Sequence, residues 1–199
     1  MSESLGGDRV AGVDEVGRGA WFGPVVAAAV ILPPSVWPDL AIAGVKDSKQ
    51  LSPKKRVELS QMICAIALDV KIGWATAREI DRINIFQASL LAMKRAILQL
   101  QPPPQQCLID GRFPVPNLCI PQETLIGGDR QSLVIAAASI VAKVWRDELL
   151  IRLEQKYPDY DLASNKGYGT PRHRLGLQQH GPSSQHRLSF QPCRRDRST

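Results

Sequence analysis

Asp14 and Glu15 stand side by side at the end of the chain's first apolar run, and Gly17, Arg18 and Gly19 follow after a single valine. Carboxylates with no His or Cys nearby suit oxygen-seeking cations such as Mg²⁺ or Mn²⁺ rather than Zn²⁺. Glycines flanking an arginine let the backbone approach an anion closely while the guanidinium neutralises it. The stretch therefore points to metal-assisted chemistry on a phosphodiester. Its plain alternative is a turn after a strand that carries a surface Asp-Glu pair.

Two further carboxylates sit beside glycine at predicted element ends: Asp110 before Gly111, and Asp129 after Gly127-Gly128. Ligands of α/β sheets collect outside strand ends, so neighbouring strands would bring Asp14 and Asp110 together. Two carboxylates ~4 Å apart repel by roughly 4 kcal/mol at an effective dielectric of 20, and a divalent cation removes that repulsion. The competing reading is that each Asp caps or turns its own segment, most of all Asp129 before a helix. Successive residues of a regular strand face opposite ways, so Asp14 and Glu15 should not both reach one ion. Asp14 and Asp110 accordingly rank above Glu15 and Asp129 as direct ligands. No Gly-x-Ser-x-Gly or His-Glu-x-x-His occurs, so a nucleophile paired with a His base is not indicated. Two metal ions could share the work, one activating water and one stabilising the leaving oxygen.

The elements that must hold these groups follow from periodicity. Arg9–Val16 and Val25–Leu32 read as strands, the second apolar throughout and hence covered on both faces. Ser52 caps a helix with Pro53 in its first turn, running to about Leu68; Val70–Ala77 is a third strand. Asn84 caps a helix over Ile85–Leu100, and extended segments follow at Gln106–Asp110 and Cys119–Ile126. The longest helical pattern runs from Gln131 to about Lys156, with Ala136-Ala137-Ala138-Ser139 small enough to press against a sheet, and a short helix is expected at Arg172–Gln179. This order predicts an α/β fold with a mixed central sheet flanked by helices, as a single domain over 1–199 in which 157–199 forms a basic C-terminal extension.

Charge identifies the kind of partner. The net charge of +6 is concentrated in residues 171–199, where six Arg and one Asp leave only +1 for the remainder. Such a tail is either a solvated end or a nucleic-acid contact. Lys46, Lys49, Lys54, Lys55 and Arg56 form a second basic cluster around Ser48, and Lys143 and Arg146 lie three apart on the long helix. Tyr168, between two glycines, is placed to stack on a sugar or base, or else to pack under its loop. The four cysteines lack Cys-x-x-Cys spacing, the N-terminus lacks a secretory pattern and no apolar run spans a bilayer. A reduced, cytoplasmic, non-membrane monomer is expected.

In order along the chain, Gly12-Val-Asp14-Glu15-Val-Gly17-Arg18-Gly19, Asp47-Ser48-Lys49-Gln-Leu-Ser52, Leu108-Ile-Asp110-Gly111, Ala136 to Asp147, Asn165 to Thr170 and His186-Arg187-Leu-Ser-Phe190 resemble the motifs of type 2 ribonuclease H (ribonuclease HII), over about residues 8–192. The resemblance implies a ribonuclease H-like fold with a small helical C-terminal extension. It also implies hydrolysis of RNA in RNA–DNA hybrids and nicking 5′ to ribonucleotides embedded in duplex DNA, with Mn²⁺ or Mg²⁺, leaving 3′-hydroxyl and 5′-phosphate ends. By motif match, Asp14, Glu15, Asp110 and Asp129 would hold the metal. Gly17, Arg18, Gly19, Ser48, Lys49, Lys143 and Tyr168 would contact the substrate. Lys46 departs from the family's usual Asn, and Gly127 and Arg130 depart from the usual Lys and small residue around Asp129. Ribonuclease HIII and a noncatalytic basic nucleic-acid-binding module are the competing readings.

Overall fold

Seven consecutive small or β-branched apolar residues make the strand over Val25–Ile31, and every one of them is buried. A strand so uniformly apolar must lie inside a sheet covered on both faces. The computed structural model describes residues 9–45 and 51–194. Along the chain it contains β1 (Val10–Val16), β2 (Val25–Ile31), α1 (Trp37–Ile42), α2 (Pro53–Ile66), β3 (Asp69–Ala75), α3 (Ala77–Ile97), β4 (Gln106–Asp110) and β5 (Gln122–Leu125). These are followed by α4 (Gly128–Gln131), α5 (Leu133–Glu154), α6 (Leu162–Asn165) and α7 (Pro171–His180). The sheet order is β3-β2-β1-β4-β5. β1 pairs antiparallel with β2 and parallel with β4, so the sheet is mixed and β1 lies at its centre.

Alternation along β1 divides the core in two. Val10 joins Ala28, Val30 and Leu108 under α5 and α2, while Ala11 and Val13 join Ala27, Ala29 and Ile109 under α3. The small residues of α5 let it lie almost on the strand. A Cβ on Gly12 would stand 2.1 Å from the Val134 carbonyl, so only glycine fits there. The fully buried Ile63, Ile80 and Ile97 seal the two faces, each such side chain stabilising by about 1.5–3 kcal/mol. A third apolar cluster, Phe22, Leu150, Tyr160 and Leu162, fastens the segment after α5 to the turn between β1 and β2.

Asn84 caps a helical segment as expected: its non-helical backbone, at φ 67°, kinks α3, and its side chain accepts the Gln87 N–H at 3.1 Å. The segment of α3 before that kink, opening at Ala77, is additional, and Thr76 and Glu79 form a reciprocal capping box at its start. One expected boundary moves. The helix expected over Gln131–Lys156 is broken at Ser132, whose extended backbone separates α4 from α5. Ser52 caps α2 as expected, accepting the Lys55 N–H.

Candidate active site

β1 stays regular to its last residue, with Asp14 opposite Ala28 and Glu15 opposite Ala27 in one unbroken ladder. The two carboxylates therefore leave the strand on opposite faces, as a pleated strand requires. Asp14 turns toward α5, where Ser139 faces it and opposes the rise of its pKa, and is only 6% exposed. Glu15 accepts from Arg18 Nη1 at 3.0 Å and shares a shallow pocket with Asp110, Arg112 and Phe113. Asp110 is the link between them. The β1–β4 ladder ends at Val13 and Ile109, one residue short of both Asp14 and Asp110, so the strands are free to separate where the carboxylates begin. Asp110 Oδ1 is fixed by the Gly128 N–H at 2.7 Å. Asp129 follows directly, buried in the first turn of α4.

Charge crowding is strong here. Burial, then the charges of Glu15 and Asp110, hold the Asp14 carboxyl well above the usual carboxylate range. Burial also raises Glu15, against the opposing pull of Arg18. Among the described residues no three His, Cys, Asp or Glu side chains stand close enough to form a complete metal cage. An all-carboxylate set under mutual repulsion still suits a hard divalent cation. Mg²⁺ in particular binds through one or two carboxylates completed by water and substrate phosphate.

The glycine-arginine turn lies on top of buried cations. Gly17 has φ +86°, and a Cβ there would meet Arg146 Nε at 2.2 Å. Arg146 is fully buried and donates to the carbonyls of Pro24, Phe22 and Lys166 at 3.2, 3.1 and 2.8 Å. It is neither surface charge nor available to a phosphate, contrary to the pairing with Lys143 expected from helical spacing. Lys143 itself is half-buried and donates to Asp147 at 2.6 Å. Tyr168 is 36% exposed, its Cε1 lies 4.0 Å from where a Cβ on Gly19 would stand, and Arg146 sits 5.6 Å from its ring centre. Thus Arg18, Gly19 and Tyr168 are exposed beside one another while Gly17 is buried beneath them, and Ser48 and Lys49 lie outside the described residues.

The profile of the ribonuclease HII family matches residues 11–193. The chain belongs to the ribonuclease HII family. A ribonuclease HII from Nostoc sp. is 62% identical over 184 residues, covering 92% of this chain and 82% of that one. The ribonuclease H2 structure from Pyrococcus horikoshii OT3 superposes with TM-score 0.80 at 29% identity, over 94% of this chain and 95% of that one. Bst ribonuclease HIII in complex with Mn²⁺ gives TM-score 0.74 at 19% identity, over 96% and 69%, a likeness of fold alone. The fold is ribonuclease H-like, and the protein is a ribonuclease H endonuclease whose substrate is nucleic acid. Among the described residues no helix is long and apolar enough to cross a membrane, and all four cysteines are free.

In this ribonuclease HII chain, sequence reasoning missed the residues beneath the site. Arg187 is fully buried and donates to the carbonyls of Arg18 and Gly23 at 2.7 and 3.0 Å. Burial, then the charge of Arg146, push its pKa down to about 9. His173 and His186 are buried with their Nε2 atoms 3.0 Å apart. The available signal was the His186–Phe190 motif, which periodicity cannot place. Ser139 facing Asp14 was hidden in a run of small residues that packing alone would explain.

Proposed function

We propose that this enzyme hydrolyses the RNA strand of RNA–DNA hybrids and nicks 5′ to single ribonucleotides in duplex DNA, through Asp14, Glu15, Asp110 and Asp129 with Mn²⁺ or Mg²⁺. The observation that carries the reading is the meeting of Asp14 and Asp110 at the parallel ends of β1 and β4, next to the Gly17–Gly19 turn. Bound divalent cations would supply a water nucleophile at neutral pH and charge stabilisation at the leaving oxygen. The repulsion of Asp14 by Glu15 and Asp110 is relieved by such an ion, which must displace the proton that the raised Asp14 carboxyl holds, and the Mn²⁺ complex of Bst ribonuclease HIII agrees with that chemistry.

The chain's own groups orient the strand. Gly17 and Gly19 allow the backbone to approach the sugar, Arg18 neutralises a phosphate, and Tyr168 stacks beside the ribose, whose 2′-hydroxyl separates RNA from DNA. Ser48, Lys49 and Lys143 add phosphate contacts. Water adds to phosphorus as the P–O3′ bond breaks, the upstream oxygen leaves as a 3′-hydroxyl, and the ribonucleotide keeps a 5′-phosphate. Duplex DNA carrying one ribonucleotide, incubated with Mg²⁺ or Mn²⁺ and with or without EDTA, tests this directly. The expected product is a single nick 5′ to the ribonucleotide that EDTA suppresses. Intact duplex under both metals overturns the reading.

A further inference from the structure

We propose that His186–Arg187 is a positioning element that joins the Gly17–Gly19 turn to the Tyr168 loop, so that the two present one surface to a ribonucleotide. The inference rests on the reading of those loops as substrate contacts.

The dipeptide reaches in two directions. Arg187 Nη1 donates to the Arg18 carbonyl at 2.7 Å and its backbone N–H to the Trp21 carbonyl at 2.9 Å, holding the turn from below. His186 lies edge-on to the Phe22 ring at 4.9 Å and contacts His173, whose Nδ1 is 2.9 Å from the Tyr168 carbonyl. The segment is anchored independently of both loops, since the N–H groups of Leu188 and Ser189 donate to Asp81 on α3 at 3.0 and 2.8 Å.

The proton positions along this path follow from its ends. The Ser183 N–H can only donate, and at 2.9 Å it faces His186 Nδ1, which must therefore carry no proton. The Tyr168 carbonyl can only accept, so His173 Nδ1 carries one. His186 Nε2–H then donates to the bare Nε2 of His173, and one arrangement of two neutral rings satisfies every contact. A tail that served only to fill space would need no histidine chain. Nor would it need a buried guanidinium whose Nη2 has no hydrogen-bond partner among the described residues. Apolar residues fill such space without stranding a buried donor.

Long-range ¹H–¹⁵N spectra of the full chain read the tautomers. The proposal expects the Nδ1–H form of His173 and the Nε2–H form of His186, and the opposite form at either ring overturns it. His186→Ala is expected to lower kcat/KM on the single-ribonucleotide duplex by about 10- to 100-fold, with a smaller loss on a long RNA–DNA hybrid. His186→Gln, whose amide can still donate to His173, is expected to restore most of it. Equal losses on both substrates, or no rescue by Gln, overturn the positioning role. If the wild-type enzyme does not nick at the single ribonucleotide, the reading of the site falls instead. The coupling is then decided by the Gly17–Gly19 and Tyr168 amide shifts in His186→Ala: displaced together they uphold it, unmoved they overturn it.

Discussion

Arg146 Nε occupies the space directly behind Gly17, 2.2 Å from where a Cβ would stand, and is held there by carbonyls of Phe22, Pro24 and Lys166. The guanidinium cannot retreat without losing those bonds, and Gly17 is also at φ +86°. Gly17→Ala should cost about 1–3 kcal/mol from backbone strain alone, lowering Tm by roughly 2–12 °C. Gly19→Ala is the contrast, because its Cβ would meet Tyr168 only at 4.0 Å, an ordinary contact. Thermal melts of both variants check this, with Gly17→Ala the less stable of the two.

Asp110 combines a structural bond with a proposed metal contact. In Asp110→Asn the side-chain carbonyl still accepts the Gly128 N–H, so the fold should survive. Loss of a group that merely orients a ligand costs roughly 10- to 100-fold, so loss of a ligand should cost at least roughly 100-fold. Cleavage with Mg²⁺ and duplex binding by gel shift, measured side by side, should show activity lost and affinity largely kept.

Tyr168 is exposed enough to meet a ligand and is held at its backbone by His173. Base–aromatic stacking is worth about 1–3 kcal/mol, so Tyr168→Ala should lose about 5- to 150-fold in kcat/KM on a single-ribonucleotide duplex. The loss on a long hybrid should be smaller, and Tyr168→Phe, which keeps the ring, should stay close to wild type. Equal loss on both substrates would remove Tyr168 from junction reading.

The histidine pair makes stability depend on pH. Burial, then the nearby His173, push His186 from 6.5 down to about 3, and burial lowers His173 as well. With the folded pKa below the unfolded one, the unfolded chain binds more protons between these values. The contribution is therefore complete above pH 6.5 and is lost as pH falls toward about 3. Tm measured from pH 8 to 4 should fall more steeply in the wild type than in His186→Gln, which has no imidazole to titrate at that position.

Local chemistry made much of this protein legible. An uninterrupted apolar strand has to be buried on both faces, so Val25–Ile31 announced a covered sheet. Asp14 and Asp110 could be paired because each lies near the end of a strand with a glycine turn following, and parallel neighbours put such ends together. Helix limits were less legible where short capping signals compete with periodicity, as at Thr76 and Ser132.

Tertiary structure decided the rest. Glu15 projects from the face opposite Asp14, and it joins the same cluster through Asp110, which faces both carboxylates. Arg146 and Arg187 looked like solvated charge, since nothing local marks a cation for burial. Four of the five carbonyls that hold them lie 122, 124, 164 and 169 residues away. The sequence by itself determined which carboxylates, glycines and aromatic ring were present at strand ends and turns, because those preferences act over a few residues. Which cations lie beneath the turn, and which protons the histidines carry, depended on hydrogen bonds that exist only once distant segments have packed together.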